Sequence, residues 1–345
     1  MIMKNIAIII PKNSRGWFYP IFKWRKELLL KGLKFSFISQ PKRLEHYDQL
    51  IFTSRYFQNR FGKRFNHGNN LDVILQEIIK IKSEYNCKVV YYDLAASPAT
   101  RELRLLPELD LLLKRQVFQN RSVYMGKHDW SGKYRAWDER TEGFITDFCC
   151  PDDLNKIKVA WNLGYSDLNT NNKWLKKFGF MDLKDTKLFK DSQKRFLLTY
   201  RGKPSSNQRS VLKEYITNNN GNNCLVGDPI KRAKFLKELS STKYVVSPFG
   251  YGEICYRDFE AIICNSILLK PSMNHIETWP NFYQENINYI PLKWDLSDLS
   301  EKIDYCELNY DHALKIKNNA RQYFKEHYLD SVKFVSHLDS LLNFD

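Results

Sequence analysis

Short apolar runs separated by amphipathic stretches recur along both halves of the chain. Asn5–Ile10 is almost continuously apolar, the mark of a strand buried on both faces of a parallel sheet. Leu33–Ser39, Asp48–Ser54, Lys88–Tyr92 and Asp110–Leu113 repeat the pattern, with intervals that leave room for crossover helices. One helix is predicted after a loop at Lys12–Tyr19, with Ile21, Trp24 and Leu28 on one face and a stop at Gly32. Another is predicted over Leu71–Tyr85, with Leu71, Leu75, Ile78 and Ile79 on a common side. The order of strand, loop and helix returns at Arg195. There the predicted strands are Arg195–Tyr200, Cys224–Gly227, Lys243–Ser247, Ser266–Lys270 and Tyr289–Leu292. Lys231–Leu239, Leu296–Ile303, Tyr310–Tyr328 and Ser331–Leu342 are the predicted helices. Such alternation predicts two α/β halves. Between them Pro151–Asn172 turns polar, with Asp152, Asp153, Gly164, Asn169, Asn171 and Asn172, and is expected to be the crossing.

The most informative stretch is Lys243–Pro271, a strand, a glycine turn, about three turns of helix and a second strand. Phe259, Ile262 and Ile263 fall at helical spacing and predict a core face. Glu253, Arg257 and Glu260 fall at i, i+4 and i+7, predicting a charged stripe turned away from it. Gly250 and Gly252 at the mouth of this helix allow backbone amides to approach a phosphate, which the positive helix terminus favours. The competing reading is plain surface electrostatics, with Glu253 complementing the dipole and Arg257 paired to Glu260.

Candidate chemistry elsewhere sits where strands end, since ligands of open α/β sheets bind beyond the carboxyl ends of the strands. Arg15, Trp17 and Tyr19 follow the first strand, and a basic, aromatic segment runs from Arg55 to Asn70. Asp93 ends the fourth strand beside a small-residue loop, as a general base or as a cap for the next segment. From Lys114 to Thr146 the pattern is irregular, and Tyr124, His128, Asp129, Trp130, Tyr134, Trp137 and Glu142 are expected to form an acceptor pocket or a domain cap. After Tyr200, the residues Arg201, Gly202, Lys203, Ser205, Ser206 and Arg209 outline a phosphate cradle that lacks the glycine spacing of a Walker A loop. Lys270, ending its strand, is expected to face the crevice; a solvent-facing lysine is the other reading.

Composition narrows the choice. With 345 residues and 43% hydrophobic content, the chain has enough apolar material for two cores. A formal net charge of +15 favours anionic partners: nucleotide sugars, acidic glycans, lipid headgroups or nucleic acid. The seven cysteines show no CxxC pair and the seven histidines no HxxxH, so neither a disulfide framework nor a protein-built metal site is expected. No run approaches a membrane span, and a cytoplasmic location is expected.

Over residues 195–330 the chain resembles the C-terminal half of nucleotide-sugar glycosyltransferases of GT-B fold, of the exostosin-like and bacterial surface-polysaccharide type. The resemblance is carried by Gly250, Gly252, Glu253, Tyr256, Arg257, Phe259, Glu260, Ala261, Lys270 and Pro271, with Arg201, Gly202 and Arg209 upstream. It implies two Rossmann-like domains facing across a cleft, an acceptor-side domain over 1–160 and a nucleotide-sugar domain over 173–345 whose last helix packs back. It implies a donor site of Arg201, Gly202, Arg209, Gly250, Tyr251, Gly252, Tyr256, Glu260 and Lys270, with Glu260 on the ribose hydroxyls. Arg257, Glu253 and Asp93 would be catalytic, Asp93 as base if the reaction inverts, and Arg15, Trp17 and His128 would meet the acceptor. The nucleotide-diphosphate sugar would be the co-substrate, with no metal or other cofactor. A glycan or glycolipid would accept the sugar, with peripheral contact to an anionic membrane and no nucleic-acid partner. Glu253 and Glu260 are seven positions apart, whereas retaining members space their two glutamates by eight, so stereochemistry stays open. Two alternatives stand beside this: a nucleotide-sugar epimerase of the same architecture, and a non-catalytic nucleic-acid or membrane-binding module.

Overall fold

The computed structural model describes residues 3–61, 67–133, 135, 137, 147–166, 192–218 and 223–344. Tyr134, Glu142, Asn169, Asn171 and Asn172, named above, lie outside the described residues. The first half supplies strands β1 (Lys4–Ile9), β2 (Leu33–Ile38), β3 (Gln49–Thr53), β4 (Lys88–Asp93), β5 (Leu111–Lys114), β6 (Gln116–Phe118) and β7 (Ile157–Val159). Six form a parallel sheet in the order β2-β1-β3-β4-β5-β7. Side chains alternate across it as strand geometry requires. Ile6, Ile8, Val90 and Tyr92 enter one core, whereas Ala7, Ile9, Val89 and Tyr91 enter the other. The near-continuous apolar runs thus mark a sheet covered on both faces.

The second half supplies β8 (Phe196–Arg201), β9 (Leu225–Gly227), β10 (Thr242–Val246), β11 (Ile267–Pro271), β12 (Ile276–Thr278) and β13 (Ile290–Leu292). Five of these form a second parallel sheet, β13-β11-β10-β8-β9. The molecule is therefore α/β, two Rossmann-like units facing across a cleft, the GT-B architecture.

Two features depart from the sequence reading. β7 lies inside the stretch expected to be the crossing, yet it pairs with β5 and extends the first sheet to Val159. β6 and β12 pair antiparallel, Phe118 opposite Ile276 and Gln116 opposite Thr278, and so tie the two halves together. Three-residue strands carry too little alternation to show in a sequence.

The chain returns to its start. The Ser331–Leu342 helix packs on the Arg25–Leu30 helix, with Trp24 and Phe334 ring centroids 5.0 Å apart. Lys4 Nζ and Gln49 Nε2 donate to the Leu342 carbonyl at 3.0 and 2.7 Å. His337 stacks on Trp279 at 3.7 Å between centroids and donates to the Ala160 carbonyl at 2.8 Å. Burial there lowers its pKa to about 4. Among the described residues no helix is long and apolar enough to cross a membrane.

Candidate active site between the two sheets

The carboxyl ends of both sheets point into one cavity of about 590 Å³. From the first domain come Trp17 beyond β1, Arg55 beyond β3, Leu94, Ala95 and Ala96 beyond β4, Arg115 beyond β5 and Leu163 beyond β7, together with Arg135. From the second come Arg201 at the end of β8, Arg209, and the turn from Pro248 to Tyr256 beyond β10, with Arg257 and Glu260. Among the described residues, six arginines and one carboxylate therefore line the same space. A cavity so charged selects an anion.

On the second domain's wall, Arg209 donates from Nε to the Phe249 carbonyl at 3.2 Å and from Nη1 to Ser205 Oγ at 3.2 Å. Its Nη2 would lie 2.8 Å from a Cβ on Gly250, so glycine is what lets the guanidinium lie along the turn. Arg257 donates from Nη2 to the Arg201 carbonyl at 2.7 Å, with its guanidinium 4.8 Å from the Tyr200 ring centroid. Among the described residues neither fork is spent on a carboxylate. Arg201 also lines the cavity but is clamped by Glu238 at 2.8 and 3.1 Å, which cancels most of its charge. The helix Tyr256–Ile263 starts at the cavity, and its N-cap amide, Cys255 N, is satisfied by Asp258 at 2.9 Å. Burial raises the pKa of the Cys255 thiol beside it.

Gly252 sets the distance between the domains. A Cβ there would fall 1.9 Å from the Ala96 carbonyl oxygen, so only hydrogen fits against the first domain's loop. Tyr251 projects from the turn at 81% exposure, its ring 5.5 Å from the Arg135 guanidinium. Tyr256 is 42% exposed at the rim.

Several residues sit elsewhere than the sequence suggested. The helix begins at Tyr256, so Glu253 precedes it and shares no stripe with Arg257 and Glu260. Glu253 is 2% exposed, accepts from Gln116 Nε2 at 2.7 Å and lies 3.4 Å from His275 Nε2, inside the interdomain contact. Glu260 does face the cavity, but its partner is Arg232, not Arg257. Lys270 does not reach the cleft: fully buried, it lies 3.0 Å from Asp258, which also accepts from Ser247 and Tyr283. Asp93 is likewise fully buried and ion-paired with Lys114, while its other oxygen accepts from the Ala95 amide at 2.8 Å. The carboxylate is thus spent on an ion pair and a local turn, neither capping a helix, since the next helical turn starts at Leu103, nor standing free as a base.

Arg15 folds back, donating to the Phe37 carbonyl at 2.9 Å, so of the acceptor-side trio only Trp17 lines the cavity. His128 packs 4.8 Å from Trp130, whose ring in turn meets His275 and Trp294 across the domains. Tyr124 and Trp137 of the same irregular segment are buried at 2% and 8% exposure. Gly202 stands behind the site, its amide donating to the Gly227 carbonyl at 3.1 Å and its α-carbon against the Tyr200 ring.

Sequence reasoning did not single out Arg115, Arg135 or Asp258, and it named Arg55 only as part of a basic segment. For Arg55 and Arg115 a signal existed: each lies within two residues of the end of a parallel strand. Asp258 was hidden because a carboxylate two residues before Glu260 looks like one more surface charge.

No family model matches the chain. A curated viral protein, uncharacterized protein 035R of Invertebrate iridescent virus 3, is 29% identical over 105 residues; the match spans 30% of this chain and 10% of that protein's length. Among solved structures, Anabaena HepE in complex with UDP-glucose is similar over 99% of both chains, at 12% identity and TM-score 0.48. An alpha-glucosyltransferase in complex with UDP and a 13-mer DNA is similar over 98% of this chain and 99% of its own, at 11% identity and TM-score 0.47. A glycosyltransferase from Rickettsia africae covers 100% of both chains at 14% identity and TM-score 0.42.

Proposed function

We propose that the chain transfers a sugar from a nucleotide-diphosphate sugar to a hydroxyl of a glycan or glycolipid. The observation that carries this is the cavity where both sheets end, with Arg209 and Arg257 unpaired by carboxylates and Glu260 as the one acid among the described residues. Breaking the sugar–phosphate bond builds negative charge on the departing diphosphate. Two guanidinium forks held by backbone carbonyls are positioned to stabilise it without reorganising. Glu260, its orientation fixed by Arg232, suits the hydroxyls of a ribose, and the exposed faces of Tyr251 and Tyr256 suit a base or sugar ring. The surface-polysaccharide role and a membrane-proximal cytoplasmic location belong to this reading through the residue pattern from Gly250 to Pro271.

The test is release of nucleoside diphosphate from a panel of nucleotide sugars, with and without glycan, glycolipid and single-stranded oligonucleotide acceptors. Acceptor-dependent release with a glycan or glycolipid is the expected result. Conversion of the donor alone to an epimer or to free sugar, or release driven by the oligonucleotide, would contradict it.

A further inference from the structure

The first domain brings a second set of cations to the cleft. Arg55 and Arg115 lie over the same indole, Trp17, their guanidinium carbons 5.8 and 3.9 Å from its centroid. Arg115 is only 7% exposed, and its Nη2 has no hydrogen-bond partner although the residue lines the cavity. Arg55 spends Nη1 on Gln58 of its own helix at 2.8 Å. Among the described residues neither is ion-paired with a carboxylate. Burial, with the repulsion of Arg55 added, lowers the pKa of Arg115. A guanidinium buried with an open donor and no counter-charge is strongly unfavourable. Its presence at a cavity wall marks where an anion completes the site.

The donor does not account for this set. A nucleotide-diphosphate sugar brings one negative charge on each phosphate, and Arg209 and Arg257 on the opposite wall match those. Arg55 and Arg115 face them from the domain that would present the acceptor. Trp17, which both guanidinium groups approach, itself lines the cavity beside them.

We propose that Arg55 and Arg115, which share Trp17, form a phosphate subsite, so that the acceptor carries a phosphate ester close to the hydroxyl that receives the sugar. The inference rests on the donor reading of Arg209 and Arg257. The phosphate belongs either to a soluble sugar phosphate or to a phosphate-linked lipid.

The experiment is calorimetric titration of phenyl phosphate, at constant ionic strength, into protein already saturated with whichever of UDP, GDP or ADP binds most tightly. A second, non-competing site is expected. Arg115→Gln should weaken it about tenfold or more, with less than about a threefold change for the nucleotide. Arg55→Gln, at a less buried position, should weaken the same step and covers the case in which Arg115→Gln fails to fold. Competition between phenyl phosphate and nucleotide, absence of the second site, or equal loss of nucleotide binding in these variants overturns the subsite. If none of the nucleotides binds while phenyl phosphate binds in an Arg115-dependent way, the subsite stands and the donor reading falls. Retention on phosphatidic acid vesicles but not phosphatidylcholine vesicles, lost in Arg115→Gln, assigns a lipid phosphate. Binding of glucose 6-phosphate without vesicle retention assigns a soluble one.

Discussion

Arg257 and Lys270 were both expected to meet the donor phosphates, and their surroundings separate them. Arg257 is anchored by a carbonyl and a tyrosine ring, leaving its charge for a ligand, whereas Lys270 spends its charge on Asp258 in the core. Arg257→Ala is therefore expected to fold and to lose about 10²- to 10³-fold in kcat, with a smaller change in KM for the donor. Arg257→Lys should recover only part, because the fork is lost. Lys270→Met leaves Asp258 as an uncompensated buried charge and should cost about 3 to 5 kcal/mol in urea denaturation. A stable Lys270→Met protein that has lost nucleotide binding would return the residue to the site. At this scale the glycines, Arg209, Arg257 and Glu260 were legible because their positions follow from strand ends and spacing. Arg115 was not, because what singles it out is a buried Nη2 without a hydrogen-bond partner, a property of three dimensions. Glu253 was misplaced because helical spacing was extended three residues past the true start at Tyr256.

Periodicity located most strands and helices of the described residues, since each long element buries one face or both. It missed the β6–β12 ribbon and the membership of β7, where the pairing partner lies far away in sequence. The Ser331–Leu342 helix gives an element-scale test. The His337 ring is held neutral in the folded state, with its pKa lowered to about 4 against about 6.5 when unfolded. Its contribution is complete above pH 6.5 and is lost as pH falls towards 4, because the unfolded chain then binds the extra proton. The loss is at most about 3 kcal/mol. His337→Phe keeps a ring on Trp279 but cannot titrate, so its stability should change less between pH 6.5 and 4. Equal pH slopes in the two proteins would show that other groups carry the acid sensitivity. The glycine turn gives another: Gly252→Ala drives a methyl into the Ala96 carbonyl and should destabilise by about 1 to 3 kcal/mol while lowering turnover. Unchanged melting and unchanged turnover would mean that the two loops separate without consequence.

For the molecule as a whole, the excess positive charge acquires a place. Part of the +15 net charge converges on one cavity, lined by arginines from both domains and closed by the contact of Gly252 with Ala96. Two parallel sheets whose carboxyl ends face each other give the cavity two walls, which the proposed function assigns to donor and acceptor. That two-domain plan was legible in the alternation of runs, but which wall held how many cations was not. The most direct test of the central claim is calorimetric titration of nucleosides, nucleoside monophosphates and nucleoside diphosphates into the wild-type protein and an Arg209→Ala, Arg257→Ala double variant. The account predicts that a diphosphate binds more tightly than its monophosphate, and that this advantage disappears in a folded double variant. Equal affinity for the two phosphorylation states, or a diphosphate preference that survives loss of both arginines, would contradict it.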